Sequence, residues 1–583
     1  VEGWTMERFV VSSDGTRIAV YEQGDRQRPT LVMAHGWPDS HVLWNGVTGE
    51  LGDRFHIVRY DNRGAGASDV PKPVAAYRMD RFADDLSAVI DAVSPGRPVH
   101  VLAHDWGSVG VWEYLSRPEA SERVASFTSV SGPSTDHYGS FVRGRLARPY
   151  RPIRFAKAVN LASRFSYWIP FSVPVVAPAL MRRGAARRLQ AIDTAGPKFQ
   201  SETLDIDAAN GLKIYRANAI RSFTTLRSDH YVTVPVQLIC NDHDPVVRGH
   251  GYDEASKWVP LLWRRDLKAG HWAPFSHWRA IANATGELID HIEGAPASRA
   301  LRRAQVGRSR ETFGDTLVSV TGAGSGIGRA TALAFAAQGA EIVVSDIDEA
   351  SAKSTANEIA ARGGVAHAYG LDVSDAEAVE NFVEQICNTH GVPDVVVNNA
   401  GIGHGGKFLD TPADQYDRVL DVNFGGVVNC CRSFARRLVE RGTGGHIVNV
   451  ASMAAYSPSA SMNAYSTSKA AVFMFSDCLR AELVSAGVGL TTICPGVIDT
   501  NIIDTTRFDV PADKQGQVEQ LRAQTKKAFA ARRYGPDKVA KAIVASVAKG
   551  KAVRPVTPEA YAAYGVSRLV PSALRRAARS GSL

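Results

Sequence analysis

The chain has 583 residues, 45% hydrophobic and 22% charged, with a formal net charge of +8. At roughly 100 to 200 residues per domain this length requires at least two cores, and the composition excludes a disordered or collagen-like chain. The positive excess gathers in runs at 299–310 and 568–579 without interleaved aromatics, so no nucleic-acid partner is expected.

In chain order, residues 9–23 alternate as a hairpin turning at Asp14-Gly15. Apolar runs at 30–34, 56–60, 99–103, 124–131 and 236–240 suit parallel strands covered on both faces, with helical stretches between several of them. This alternation predicts an α/β protein, with residues 1–292 as its first domain. Residues 133–230 interrupt the pattern with Arg, Pro and aromatics, as a helical cap would. A polar, Arg-rich linker is expected at 293–313, a second α/β domain at 314–564 and a basic tail at 565–583. The six cysteines have neither disulfide nor metal spacing, which favours a reducing, cytoplasmic setting and no bound metal. No secretory signal is expected, and the most apolar stretch, 167–181, is broken by three prolines and too short to span a bilayer.

Ala103-His104-Asp105-Trp106-Gly107 follows a strand in the pattern small, any, nucleophile, any, small, which a sharp strand-to-helix turn imposes on its flanks. Alone, it reads equally as an aspartate capping the next helix. His35-Gly36-Trp37-Pro38 and Asp61-Asn62-Arg63-Gly64-Ala65-Gly66-Ala67-Ser68 follow two earlier strands, Asp244 ends a later one, and His271 lies in Ala269-Gly270-His271-Trp272. Nucleophile, acid, histidine is the chain order of α/β-hydrolases. Aspartate, with an ordinary pKa of roughly 4, is already ionised at neutral pH. Attack on an ester would yield an anhydride. Attack on a saturated carbon bearing a halide or an epoxide oxygen yields an alkyl ester. Water deprotonated by His271, with Asp244 fixing the imidazole, would cleave that ester while the backbone amides of Trp37 and Trp106 hold the oxyanion. Asp242 is the rival acid; Asp244, immediately before Pro245, matches the family position better. His104, His243 and His250 read as loop or packing residues.

On these residues, 1–292 resembles the epoxide hydrolases of the α/β-hydrolase superfamily. The resemblance implies two cap tyrosines that protonate the epoxide oxygen. Tyr167, in Tyr167-Trp168-Ile169-Pro170-Phe171-Ser172, fits the first pattern except that Ser172 replaces the usual glutamine; Tyr215, in Ile214-Tyr215-Arg216-Ala217-Asn218, fits the second. Tyr138 and Tyr150 are the alternatives. Haloalkane dehalogenases are the rival family, with the Trp37 and Trp106 indoles as halide donors, although many of them carry asparagine at the place of Trp37.

The second domain opens with Thr321-Gly322-Ala323-Gly324-Ser325-Gly326-Ile327-Gly328 between a strand and a helix, the setting of a dinucleotide fingerprint. Its glycine spacing is that of short-chain dehydrogenases, which the domain resembles throughout. Asp346, about twenty residues beyond the central glycine, would accept the ribose 2′-hydroxyl, and with Ser325 it favours NAD over NADP. By resemblance, Asp372 meets the adenine, and Asn399, Ala400 and Gly401 line the cofactor. Tyr465 and Lys469 share a helix face, and the ammonium would favour the phenolate that takes the alcohol proton. Ser452 matches the substrate-binding serine, Asn423 the relay asparagine, and Pro495, Gly496 and Thr500 the segment beside the nicotinamide.

The order of the two domains resembles bifunctional fusions of mycolic-acid-bearing bacteria. That implies a lipid or small-molecule epoxide, an alcohol as second substrate, and a homo-oligomer formed through the dehydrogenase domain. The apolar cap segment and basic tail fit peripheral contact with a membrane. A different reading makes the second domain an NAD-binding scaffold, against which the full set Asn423, Ser452, Tyr465 and Lys469 speaks.

Overall fold

The five apolar runs of the first domain become parallel strands of one sheet, because only a strand covered on both faces tolerates side chains that are apolar without alternation. The structure is a computed structural model that describes residues 5–193, 201–219, 224–227, 229–499, 505–511, 516, 518–520, 522–523 and 534–580. It divides into two compact units, Val1–Arg308 and Ser309–Leu583.

The first unit contains β1 (Thr5–Val11), β2 (Arg17–Gln23), β3 (Thr30–Ala34), β4 (His56–Tyr60), β5 (Val99–His104), β6 (Val124–Val130), β7 (Val236–Asn241) and β8 (Leu262–Leu267). Their order across the sheet is β1-β2-β4-β3-β5-β6-β7-β8, with the hairpin antiparallel and β4 to β8 parallel. Every residue of β3, β4, β5 and β7 is buried. Helix α1 (Asp105–Leu115) leaves the end of β5 directly. Between β6 and β7 lies the expected helical insertion, which includes α2 (Thr135–Leu146), α3 (Pro152–Ser163), α4 (Val176–Leu180), α5 (Leu204–Gly211) and α6 (Lys213–Asn218).

The stretch expected to be an Arg-rich linker is built into the fold at 298–306. The Ser298 hydroxyl accepts from the Leu301 amide and caps helix α7 (Arg299–Ala304). Leu301 and Ala304 are buried against Trp263 and Leu288 of the same unit. The chain then bridges Trp263 antiparallel at Gln305, and the Val306 amide donates to the Leu262 carbonyl at 2.9 Å, covering part of the β8 edge. Composition misled here because arginines can snorkel from a short helix whose two apolar residues face inward.

The second unit contains β9 (Leu317–Thr321), β10 (Glu341–Asp346), β11 (Ala366–Gly370), β12 (Val395–Asn398), β13 (His404–Gly406), β14 (Gly445–Val450), β15 (Val488–Cys494), β16 (Arg507–Asp509) and β17 (Val553–Pro555). Seven of them form a parallel sheet ordered β11-β10-β9-β12-β14-β15-β17, while β13 and β16 pair separately. Helix α8 (Gly326–Ala336) follows β9, and α9 (Asn463–Leu483) carries the Tyr465 and Lys469 positions. The tail begins later than expected: α10 (Pro558–Leu569) runs past residue 565, and α11 (Pro571–Ser580) follows it.

Leu301→Ala is expected to destabilise the first unit by roughly 2–4 kcal/mol, the cost of a cavity at a fully buried leucine. Denaturant unfolding of the whole chain measures this; an unchanged transition would mean that the segment is a spacer after all.

Candidate active sites

Asp105 occupies the turn between β5 and α1 at φ 48°, a conformation that non-glycine residues adopt rarely and then at functional turns. The turn is possible because Gly107 lets α1 approach the neighbouring loop: a Cβ there would lie 2.1 Å from the His35 carbonyl oxygen. One carboxylate oxygen of Asp105, Oδ2, accepts from the Trp37 amide at 3.0 Å. The other, Oδ1, lies 3.6 Å from His271 Nε2. His271 Nδ1 is 2.8 Å from Asp244 Oδ2, and Asp244 Oδ1 accepts the amides of Val246 and Val247 at 2.7 and 2.9 Å. The elbow, the acid and the histidine thus meet as expected, and the bonded acid is Asp244, not Asp242.

Burial opposes the charge on His271, but Asp244 and Asp105 outweigh it and raise the imidazole well above its ordinary value. Burial likewise opposes ionisation of Asp244, and His271 with the two amides holds its carboxyl below the usual range. His104 has a role that its sequence did not suggest. Burial pushes it down to about 4, so it is neutral, and its Nε2 bonds the His271 carbonyl at 2.9 Å, steadying the loop that carries the base.

A cavity of ≈ 380 Å³ opens over Asp105, walled by Trp106, Val109, Val142, Leu146, Phe165 and Tyr167. Tyr167 and Tyr215 pack edge to face, with ring centroids 5.8 Å apart. Burial, then the Asp105 charge in the case of Tyr167, raises both phenols, so both keep their protons at neutral pH. Tyr167 lines the cavity; Tyr215 is 2% exposed and stands behind it between the Trp37 and Trp106 rings. Of the alternatives, Tyr138 also lines the cavity, whereas Tyr150 is 71% exposed and does not. The Trp37 indole donates to the Ala208 carbonyl at 2.9 Å, and the Trp106 ring meets Tyr215 edge-on, centroids 5.4 Å apart.

Sequence reasoning missed Asp39, two residues beyond Trp37. It is buried, accepts from Trp272 Nε1 at 3.1 Å and Gln190 Nε2 at 2.6 Å, and is pushed up to about 7 by burial and the Asp105 charge. Nothing in its spacing marks it, because its burial comes from Trp272 and Gln190, far along the chain.

In the second unit a cavity of ≈ 1040 Å³ runs along the carboxyl ends of the strands. It is lined by Gly322, Ser325, Gly326, Ile327, Asp346 and Asp372 at one end and by Ser452, Tyr465, Lys469, Pro495 and Gly496 at the other, with Asn399, Ala400 and Gly401 between. Gly328 is required behind that wall, because a Cβ would lie 2.1 Å from the Gly322 carbonyl oxygen. Thr321 is a support: its hydroxyl accepts the amides of Asn399 and Ala400 at 3.1 and 3.2 Å. Asp346 Oδ2 accepts the Gly324 amide at 2.9 Å, fixing the carboxylate at the loop, and Asp372 Oδ1 accepts from Ser374. Thr500 lies outside the described residues.

Asn423 sits in a widened helical turn, Asp421–Gly425. Its Oδ1 accepts the Ile402 amide at 2.8 Å, and its Nδ2 donates to the Ile402 carbonyl and to Ser468 Oγ. The Ser452 hydroxyl accepts the Ala454 amide at 3.2 Å and lines the cavity with Tyr465. One electrostatic expectation fails. Burial raises the Tyr465 phenol, with only Ser452 acting against it, while burial lowers Lys469 to about 8. The ammonium donates to the Val450 carbonyl at 3.0 Å and lies 5.9 Å from the Tyr465 ring centroid, so desolvation dominates both groups.

Residues 29–277 match the family model described as alpha/beta hydrolase fold, and residues 316–510 match that described as short chain dehydrogenase. Proteins named "Probable oxidoreductase EphD" from Mycobacterium bovis and Mycobacterium tuberculosis are 63% identical over 582 residues, covering 98% of this chain and 98% of theirs. A solved short chain dehydrogenase/reductase from Burkholderia phymatum in complex with NAD is 28% identical, covers 45% of this chain and 95% of its own, and has a TM-score of 0.42. The relatedness to the mycobacterial proteins runs through both units, and the chain belongs to their family, in which an α/β-hydrolase fold precedes a short-chain dehydrogenase.

Proposed function

We propose that the first site hydrolyses an epoxide to a vicinal diol through an ester on Asp105, and that the second oxidises a secondary alcohol, or reduces the ketone, with NAD. The observation that carries the first half is Tyr167, a protonated phenol in the wall of the same apolar cavity as Asp105. Asp105 Oδ1 attacks an epoxide carbon, the carbon–oxygen bond breaks, and the leaving oxygen takes the Tyr167 proton, with Tyr215 supporting that phenol. Esterification removes the Asp105 charge, one of the influences that raise His271, so the imidazole becomes able to take a proton from water. That water attacks the ester carbonyl carbon and the oxyanion forms at the Trp37 amide; the bond from that carbon to the alkyl oxygen then breaks, the His271 imidazolium protonates the departing diol oxygen, and the proton left on the Asp105 carboxyl returns to the Tyr167 phenolate. The halide reading is disfavoured because the Trp37 indole N–H is already donated to the Ala208 carbonyl.

For the second site, the glycine cradle at Gly328, the cavity length and the carboxylate of Asp346 at the end of β10 fit a dinucleotide with a free ribose 2′-hydroxyl. NAD, when bound, supplies the hydride acceptor. Ser452 orients the substrate oxygen, Tyr465 takes its proton, the Val450 carbonyl holds the Lys469 ammonium beside the phenol's helix face, and Asn423 holds the Ile402 backbone. A diol leaving the first site is an alcohol that the second could oxidise to an α-hydroxyketone. The apolar cavity wall supports a long-chain or lipid epoxide as substrate.

His271→Gln is expected to stall the reaction after alkylation. Mass spectrometry should then find the Asp105 peptide heavier by the whole epoxide, and an adduct with haloalkanes alone would hand the site to the rival reaction. Tyr465→Phe should lower NAD-dependent turnover by roughly 10²–10⁴-fold without changing NADH binding. Binding without turnover of any alcohol by the wild type would instead support the scaffold reading.

The charge pair also predicts a pH window. The raised His271 adds stability in full below about pH 6.5, fading as pH rises through its folded value; the lowered Asp244 adds stability in full above about pH 4, lost as pH falls. Asp244→Asn should therefore destabilise the first unit most between about pH 4 and 6.5, by roughly 3 kcal/mol. Denaturation at a series of pH values measures it, and a pH-independent difference would contradict the pairing.

A further inference from the structure

From residue 137 to residue 192 the cap carries eleven Lys or Arg and no Asp or Glu, more positive charge than the net excess of the whole chain. Arg145 and Arg187 pair with Glu254 and Asp205. Arg148, Arg151, Arg154, Lys157, Arg182 and Arg183 are exposed and have no carboxylate partner among the described residues.

The same stretch displays apolar side chains. Tyr150, Ile153, Ile169, Val175, Val176 and Leu180 are between 53% and 79% exposed, although a folded chain ordinarily scatters such residues singly. Val175, the most exposed of them, is held at φ 68°, a conformation that a β-branched residue disfavours. Backbone strain thus coincides with the most exposed apolar side chain of the stretch.

We propose that this face of the cap docks on an anionic lipid surface, with the aliphatic tips entering the headgroup region and the arginines and lysine meeting lipid phosphates. Charge decides between possible occupants. A second copy would bring two strongly basic faces together, and protruding aliphatic side chains offer nothing for nucleic-acid bases to stack on. No helix among the described residues is long and apolar enough to cross a membrane, so the contact is peripheral. Leu146, Ala162, Phe165 and Tyr167, from the same segments, line the cavity over Asp105, so docking brings the cap that walls the site to a lipid surface. Docking of the cap is independent of which reaction Asp105 performs.

Co-sedimentation of the full chain with vesicles tests it. Binding is expected to phosphatidylcholine vesicles containing phosphatidylglycerol and not to phosphatidylcholine alone, and to weaken as salt rises. The triple variant Arg148→Glu, Arg151→Glu, Arg154→Glu should lose binding by on the order of tenfold or more. Ile169→Ser with Val175→Ser should weaken binding while keeping its salt dependence. Both variants should unfold at the parental temperature and keep parental turnover of a water-soluble substrate. Equal binding to neutral vesicles, or undiminished binding by the charge-reversed variant, would overturn the proposal. So would a parental dimer that the same substitutions dissociate, since the face would then belong to a second copy.

Discussion

Backbone crowding at the carboxyl ends of two parallel sheets is the constraint on which both sites depend. In the first unit a helix must start directly at the end of β5, and it can do so only because Gly107 leaves the His35 carbonyl room that a methyl group would occupy at 2.1 Å. In the second, α8 turns away from β9 against the Gly322 carbonyl under the same 2.1 Å restriction at Gly328. Each tight corner aims a helix N-terminus and its free amides at the space above the sheet, where negative charge is welcome. The first unit fills that place with a carboxylate of its own, Asp105. The second leaves it as cavity.

The two units also handle buried charge differently. Around Asp105 the protein gathers opposite charges, so His271 and Asp244 sustain each other's ionisation against burial. Around Tyr465 it gathers one phenol and one amine and excludes water from both, so each drifts toward its neutral form. A proton between them therefore rests on the phenol and not on the amine, whereas in water, where roughly 10 applies to both, neither would hold it by much.

Much of this was legible in the residues. The limits of β3 and β4 coincide with the runs read from the sequence, since both strands are covered on both faces along their whole length. The elbow, Asp244 and His271 were legible because sharp turns and a fixed chain order constrain residue type. Other features were hidden. The neutrality of His104 arises from burial by distant elements. The widened turn at Asn423 is a hydrogen-bonding choice, made by Ile402 and Ser468, that no periodicity reports. Tyr215 matched its pattern better than Tyr167, yet Tyr167 reaches the cavity wall; which of two neighbouring phenols faces substrate is settled by packing among aromatic rings.

Helix α7 changes how the chain can be divided. Composition puts a boundary near residue 293, but the segment that leaves the first unit also shields its last strand, through Leu301 over Trp263 and Val306 against Leu262. A hydrolase cut at the compositional boundary would expose an apolar patch beside an unpaired strand edge, the combination that recruits other chains into aggregates. In this protein the connection between two catalytic units serves as the outer wall of the first.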